Sequence, residues 1–207
     1  AASDVYKRQS YFSGCTSLKE VVLPDSIVEL GNTAFKNCVS LENIDLSGIR
    51  EIGNNTFEGC TSLASVDLSS VNTIGNYAFK GCTALTEVYI PDSVVDMGTS
   101  VFLDCDNLQS LTVSDGNSAY RLGSAGELLN YDGTQILYVP ASATGEYVIE
   151  QGMTAGDYAF AGTGVTKVVI PNSMTVIPVG MFANCTSLTE VTLHDGITEI
   201  GASAFTG

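Results

Sequence analysis

The stretch "FKGCTALTEVYIP" occupies residues 79–91, and "FSGCTSLKEVVLP" occupies residues 12–24. The two agree at Phe, Gly, Cys, Thr, Leu, Glu, Val and Pro. Internal copies of this kind mark a repeat architecture. The phenylalanines that open successive copies are Phe12, Phe35, Phe57, Phe79, Phe102, Phe160, Phe182 and Phe205, separated by 23, 22, 22, 23, 58, 22 and 23 residues. One long interval aside, the period holds to within a residue. The shared pattern is F-x-[GN]-C-x-[SA]-L-x-x-[VI]-x-[LI]-P-x-S-[VI]-x-x-[IL]-G-x-x-A-F, with gaps, and it is most complete over 12–35 and 79–102.

Within one unit, L-x-x-V-x-L ends in the period-2 alternation of a strand. Residues 20–23 are therefore expected as a short strand with Val21 and Leu23 inward. Pro24 ends it, because proline cannot donate to a ladder. Ile27 and Leu30 form a second inward pair, and Gly31 is expected to supply a turn through its freedom in φ. Ala34, Phe35 and Cys38 fit one turn of α- or 3₁₀-helix. A unit this short cannot bury its apolar groups alone, whereas stacked units can. The expected fold is an α/β repeat solenoid of about eight units of 22–23 residues, with a parallel β-sheet on its concave face.

The segments "LPDSIVELGNTAFKNCVSL" (23–41) and "IPDSVVDMGTSVFLDCDNL" (90–108) carry several of these positions in register. In period and leucine placement the chain resembles leucine-rich repeats, and most closely the BspA-like family of bacterial surface proteins. The resemblance extends over residues 11–207. It implies a non-enzymatic adhesion or protein-binding module at the cell surface or outside the cell, recognising host matrix proteins or other cell-surface proteins. The rival expectation is a rigid spacer within a larger multidomain surface protein. The repeated residues are core residues, so they speak for the fold and leave the ligand open.

The 58-residue interval holds "GELLNYDGTQILYVP" (126–140), two apolar runs around Asp132-Gly133. This is the signature of a β-hairpin with a type I′ turn. The hairpin is expected to project from the stack or to cap it, as an interruption also seen in BspA-like proteins. A shortened unit, "YVIEQGMTAGDYAF" (147–160), follows. The expected organisation is a first repeat block over 10–115, the hairpin insertion over 116–146, and a second block over 147–207 that stops inside a unit. Residues 1–9, "AASDVYKRQ", fit nothing downstream. "DVYKRQ" resembles a translated transposon end from sequencing libraries, so 1–9 are read as a non-native leader on a metagenomic fragment of a longer protein.

The net charge is −15, with eight Lys and Arg in 207 residues. Phosphate backbones and anionic lipid heads are bound through clustered Lys and Arg. No cluster exceeds Lys7-Arg8, so nucleic acid is not an expected partner and a cationic or neutral one is. No apolar run reaches the roughly 18 residues of a membrane span.

The cysteines, Cys15, Cys38, Cys60, Cys82, Cys105 and Cys185, all share one unit position. Stacked equivalents lie about 4.8 Å apart with parallel side chains, whereas a disulfide needs facing Cβ atoms about 3.8 Å apart. A ladder of buried free thiols is expected, with disulfides or metal ligation as the alternatives. The single histidine, His194, stands where other units place proline and is expected to be solvated. Asp104 and Asp106 have loop spacing and Asp115 follows nearby, but the full calcium-loop pattern is missing, so solvated turn residues are expected. No catalytic residue, cofactor or metal is assigned.

The outward strand positions vary while the inward ones do not. One row reads Val22, Asp45, Asp67, Tyr89, Thr112, Val169 and Thr192, and the other Glu20, Asn43, Ser65, Glu87, Ser110, Lys167 and Glu190. The candidate binding residues drawn from them are Glu20, Val22, Asp45, Asp67, Glu87, Tyr89, Thr112, Lys167, Val169, Glu190 and Thr192. The face is acidic in its first half, with Glu42 adding to it, and Tyr89 is the strongest single anchor, because tyrosine is enriched at interface hot spots. The alternative site is the hairpin near Tyr131 and Tyr138.

Overall fold

The computed structural model describes residues 11–207. The leader assigned to 1–9 lies outside the described residues. Fifteen short strands follow one another: β1 (Glu29–Leu30), β2 (Glu51–Ile52), β3 (Thr73–Ile74), β4 (Glu87–Ile90), β5 (Asp96–Met97), β6 (Ser110–Val113), β7 (Tyr120–Leu122), β8 (Leu128–Asn130), β9 (Gln135–Tyr138), β10 (Thr144–Val148), β11 (Thr154–Ala155), β12 (Gly164–Val169), β13 (Val176–Ile177), β14 (Glu190–Thr192) and β15 (Glu199–Ile200). They fall into two compact units. One holds the chain up to Leu108 with Thr112–Ala119, and the other holds Gln109–Leu111 with Tyr120–Gly207.

The first unit is a stack of rungs. Strands β1, β2, β3 and β5 form a parallel ladder in which Leu30, Ile52, Ile74 and Met97 are in register. Behind it the phenylalanine rings lie in single file. Phe12, Phe35, Phe57, Phe79 and Phe102 stack with centroids 5.2, 5.5, 5.3 and 5.9 Å apart. In the second unit Phe160, Phe182 and Phe205 continue the pattern at 5.4 and 5.3 Å. The inner six are buried, while Phe12 and Phe205, on the outermost described rungs, are exposed.

The helical turn expected around Ala34, Phe35 and Cys38 does not form, and no described residue is helical. The solenoid is all-β, which corrects the α/β expectation. Thr33 (φ 59°) and Asn37 (φ 61°), on either side of Phe35, are in the left-handed region, as are Asn55 and Gly59 around Phe57, and Tyr77 and Gly81 around Phe79. A helix needs consecutive right-handed residues. The amides alternate instead. Those of Ala34, Lys36 and Cys38 bond back to Gly31, Thr33 and Phe35, while those of Thr33, Phe35 and Asn37 bond across to Asn54, Thr56 and Glu58 of the next rung. The segment gives half its hydrogen bonds to stacking, which a helix would have kept for itself.

Two further expectations change. The strand placed at 20–23 is not formed, nor are its equivalents in the next two rungs, and the ladder in these rungs runs through β1, β2 and β3. In the second and third rungs the Asp45 and Asp67 carboxylates accept the amides of Ser47 and Ser69. Such local bonds compete with a ladder. The in–out alternation survives without it: Leu46 and Leu68 are buried, while Asp45 and Asp67 are exposed.

Gly31 and its equivalents Gly53, Gly75 and Gly98 are not at positive φ. Close approach requires glycine there. A Cβ on Gly75 would lie 2.5 Å from the Asn54 amide nitrogen, and one on Gly53 2.7 Å from that of Asn32. The neighbouring asparagine fills the gap and bonds onward: Oδ1 of Asn32, Asn54 and Asn76 accepts the amides of Asn54, Asn76 and Thr99 at 2.7, 2.8 and 2.8 Å. This asparagine ladder was not anticipated, although the recurring Gly-Asn pair at 31–32, 53–54 and 75–76 is its signal.

In the second unit, β7, β8 and β9 form an antiparallel meander, and β9 then pairs in parallel with β11. The expected hairpin is therefore seated on the edge of this unit's ladder. Its turn is not type I′, which needs positive φ at both central residues. Across 130–135 only Gly133 (φ 72°) is left-handed. The Gly133 amide bonds to the Asn130 carbonyl, and Asn130 Oδ1 accepts the amides of Thr134 and Gln135. The asparagine caps a wider turn than Asp-Gly alone predicts. Beside it, β10, β12 and β14 form a three-stranded parallel sheet with a bulge at Gly145/Glu146.

Candidate binding face

The thiol ladder sits directly behind the phenylalanines. The Sγ atoms of Cys38, Cys60, Cys82, Cys105 and Cys185 donate to the carbonyls of Phe12, Phe35, Phe57, Phe79 and Phe160 at 2.9–3.1 Å. Each thiol thus bonds to the preceding rung, and all six cysteines are free. Burial pushes the Cys60 and Cys105 thiols up to about 12, and raises those of Cys38 and Cys82 as well. A thiol held in its neutral form is a poor nucleophile and a poor metal ligand. Cys15 departs from the expected ladder. It is exposed on the outermost described rung.

His194 also departs from expectation. It is half-buried, its Nδ1 accepts the Gly196 amide at 3.0 Å, and its Nε2 lies 3.0 Å from the Met174 carbonyl. With one ring nitrogen accepting, the other carries the proton and donates to Met174. The imidazole ties its turn to the previous rung. Ser114 Oγ accepts the Gly116 amide in the matching turn of another unit, so a side-chain acceptor replaces the proline there.

Of the three aspartates weighed for calcium, Asp104 pairs with Lys80 at 3.7 Å, and Asp106 and Asp115 are exposed. Partial burial, with the nearby Asp104 charge, raises the Asp106 carboxyl. Among the described residues no group of three His, Cys, Asp or Glu side chains is placed to hold a metal.

The candidate binding residues lie outward from the core. In the first unit Glu20, Val22, Asp45, Asp67, Glu87, Tyr89 and Thr112 are exposed, and β4 alternates exposed Glu87 and Tyr89 with buried Val88 and Ile90. Val22 is 87% exposed and Tyr89 54%, both high for apolar or aromatic side chains in an ordered rung. In the second unit Lys167 and Val169 are half-buried, while Glu190 and Thr192 are exposed. Parallel register places Glu146, Lys167 and Glu190 in one row and Val148, Val169 and Thr192 in the next. Glu146 and exposed Val148 were missed, because β10 lies in a unit that lacks the opening phenylalanine. On the hairpin, Tyr131 is exposed and Tyr138 half-buried.

The charges on the two units differ. Lys167 Nζ sits 3.6 Å from Glu146 and 3.3 Å from Glu190, and these carboxylates hold its ammonium above the ordinary lysine value. In the first unit Lys19 pairs with Glu42, Lys36 with Glu58 and Lys80 with Asp104, each at 2.7–3.7 Å. Arg50 donates to the Ser70 carbonyl. The hydrogen bonds from Ser47 hold the Asp45 carboxyl below the usual range.

The BspA type leucine rich repeat region matches residues 8–121 and 153–207, in six copies. The fold is also that of solved bacterial proteins. A leucine rich cell surface protein from Faecalibacterium prausnitzii superposes with a TM-score of 0.64 at 22% identity, over 95% of this chain and 66% of the other. The pneumococcal vaccine antigen PcpA gives 0.69 at 20% identity, over 86% and 51%. A leucine-rich repeat protein from Bacteroides ovatus gives 0.53 at 24% identity, over 94% and 65%. The chain thus spans between half and two thirds of the length of these proteins. No curated protein matches the sequence. Among the described residues no helix is long and apolar enough to cross a membrane.

Proposed function

The chain belongs to the BspA-type leucine-rich repeat family, and we propose that it is a non-enzymatic protein-binding module of a cell-surface or secreted protein. The observation that carries this reading is the contrast along the rungs. Inward strand positions keep to Leu, Ile and Val, buried at Leu46, Leu68, Val88 and Ile90, while the outward row runs through exposed Val22, Asp45, Asp67 and Tyr89, changing from apolar to acidic to aromatic. Tyr89 stands 54% exposed on this row, and tyrosine combines apolar contact with a hydrogen-bonding tip. Surface placement is supported by the F. prausnitzii cell surface protein of like fold. The ligand would be a host matrix protein or another cell-surface protein. Its affinity would come from interface burial over the outward rows, helped by the stiffness of the stacked rungs.

The test is biolayer interferometry of the purified chain against a panel of purified extracellular-matrix glycoproteins. A Tyr89→Ala/Asp67→Lys variant is run alongside. Saturable binding that the double variant weakens supports the reading and locates the site. Binding that the variant leaves unchanged moves the site toward Tyr131 and Tyr138. Absence of binding across the panel would favour the rigid-spacer alternative.

A further inference from the structure

Resting on that reading, we propose that Asp67, Glu87 and Tyr89 form a docking point for an arginine or lysine side chain on an extended, basic segment of the partner protein. Glu87 and Tyr89 are alternate residues of β4 and project from the same face. Asp67 occupies the Tyr89 position one rung earlier, and the two rungs are tied beside it by Ser93 Oγ, which donates to the Leu68 carbonyl at 3.3 Å. One aromatic face and two carboxylates therefore share adjoining outward positions. A cation over a tyrosine ring is attracted by the ring quadrupole, and the carboxylates add charge-assisted hydrogen bonds.

The fold contains its own precedent. In the second unit a lysine, Lys167, at the repeat position that Glu87 holds in the first, is seated between carboxylates of the rungs on either side at 3.6 and 3.3 Å. The first unit provides no such lysine. Its described lysines are committed to Glu42, Glu58 and Asp104, and Arg50 to a backbone carbonyl. Among the described residues neither Asp67 nor Glu87 has an ion pair. Asp67 Oδ1 takes the Ser69 amide, which fixes the carboxylate on its rung. A cation supplied from outside would meet Glu87 in one outward row and Asp67 in the next, where Lys167 meets both its carboxylates in a single row. The net charge of −15 draws such a partner in.

The probe is a fluorescein-labelled dodecapeptide of alternating Arg and Ser, with Glu-Ser as its counterpart, followed by anisotropy in about 50 mM salt where surface charges are weakly screened. Saturable one-to-one binding of the Arg-Ser peptide alone is expected. Asp67→Lys should weaken it roughly tenfold, and Tyr89→Ala about threefold without any change of charge. Asp195→Lys, the same charge change made at an exposed turn of the second unit, should leave it unchanged. Equal weakening by Asp67→Lys and Asp195→Lys would mean that bulk charge alone attracts the peptide, and would overturn the site. So would an unaffected Tyr89→Ala. A dimer by light scattering that Tyr89→Ala dissociates would assign the face to a second copy instead. Matrix-protein binding that survives Asp67→Lys would remove the cation site and leave the binding-module reading standing.

Discussion

Replacing Phe57 by alanine tests the stacked core most directly. Its ring is fully buried between Phe35 and Phe79, with centroids 5.5 and 5.3 Å away. Truncating such a ring costs about 3–5 kcal/mol, as lost transfer free energy plus an unfilled cavity. Phe205 is the internal comparison. It is 43% exposed and stacks on Phe182 from one side, so Phe205→Ala should cost roughly 1 kcal/mol. Urea titration followed by tyrosine fluorescence reads the difference, since the chain has nine Tyr and no Trp. Hydrogen exchange reads its location. Units couple to their neighbours, so protection should fall first at the amides of Phe35 and Phe57, which bond to the Thr56 and Ala78 carbonyls. Protection at Phe160 and Phe182 should hold. A Phe57→Ala protein no less stable than Phe205→Ala would refute the stack. Protection lost evenly across the chain would refute nearest-neighbour coupling.

Gly75→Ala should destabilise by more than the 1 kcal/mol or so of an ordinary core change, because the new methyl would meet the Asn54 backbone at 2.5 Å; thermal unfolding measures this, and a stabilised variant would contradict the close approach. Cys15 alone should react with a thiol reagent in the native protein, and all six cysteines in denaturant without reductant; four or fewer would indicate disulfides. Stability should fall in alkali. The folded Cys60 thiol is raised from 9.0 to about 12, so the folded state binds this proton more tightly. Its contribution is complete below about pH 9 and is lost as pH rises toward 12, worth at most roughly 4 kcal/mol at full shift. Urea midpoints across that range should drop more steeply in the parent than in Cys60→Ala, and identical slopes would sink the assignment.

Much of this fold is legible in the residues. The spacing of Phe12, Phe35, Phe57 and Phe79 places the rings in one file, because a fixed period fixes a rung. What the sequence hides is how backbone groups divide between local and inter-rung partners. Thr33, Asn55 and Tyr77 share a left-handed conformation that none of their side chains demands. The stack imposes it, and helical periodicity around Phe35 gives no warning. Asp132-Gly133 misleads for a similar reason: Asn130, outside the dipeptide, sets the turn through its side chain. The outward rows were legible by alternation as far as Glu20, Tyr89 and Thr192. Glu146 and Val148 were not, since only pairing with β12 brings them into line. The partner leaves no mark on the core positions that repeat, and so has to be read from the positions that do not.

The glycine–asparagine contact bears on how such a chain changes over generations. The space for Asn54 is granted by Gly75, twenty-one positions away, and Asn54 itself depends on Asn32. A substitution at one site thus alters what its counterpart in the adjoining copy can tolerate. Drift should leave correlated pairs about one period apart, and gain or loss of whole copies should be easier than insertion of a single residue inside one.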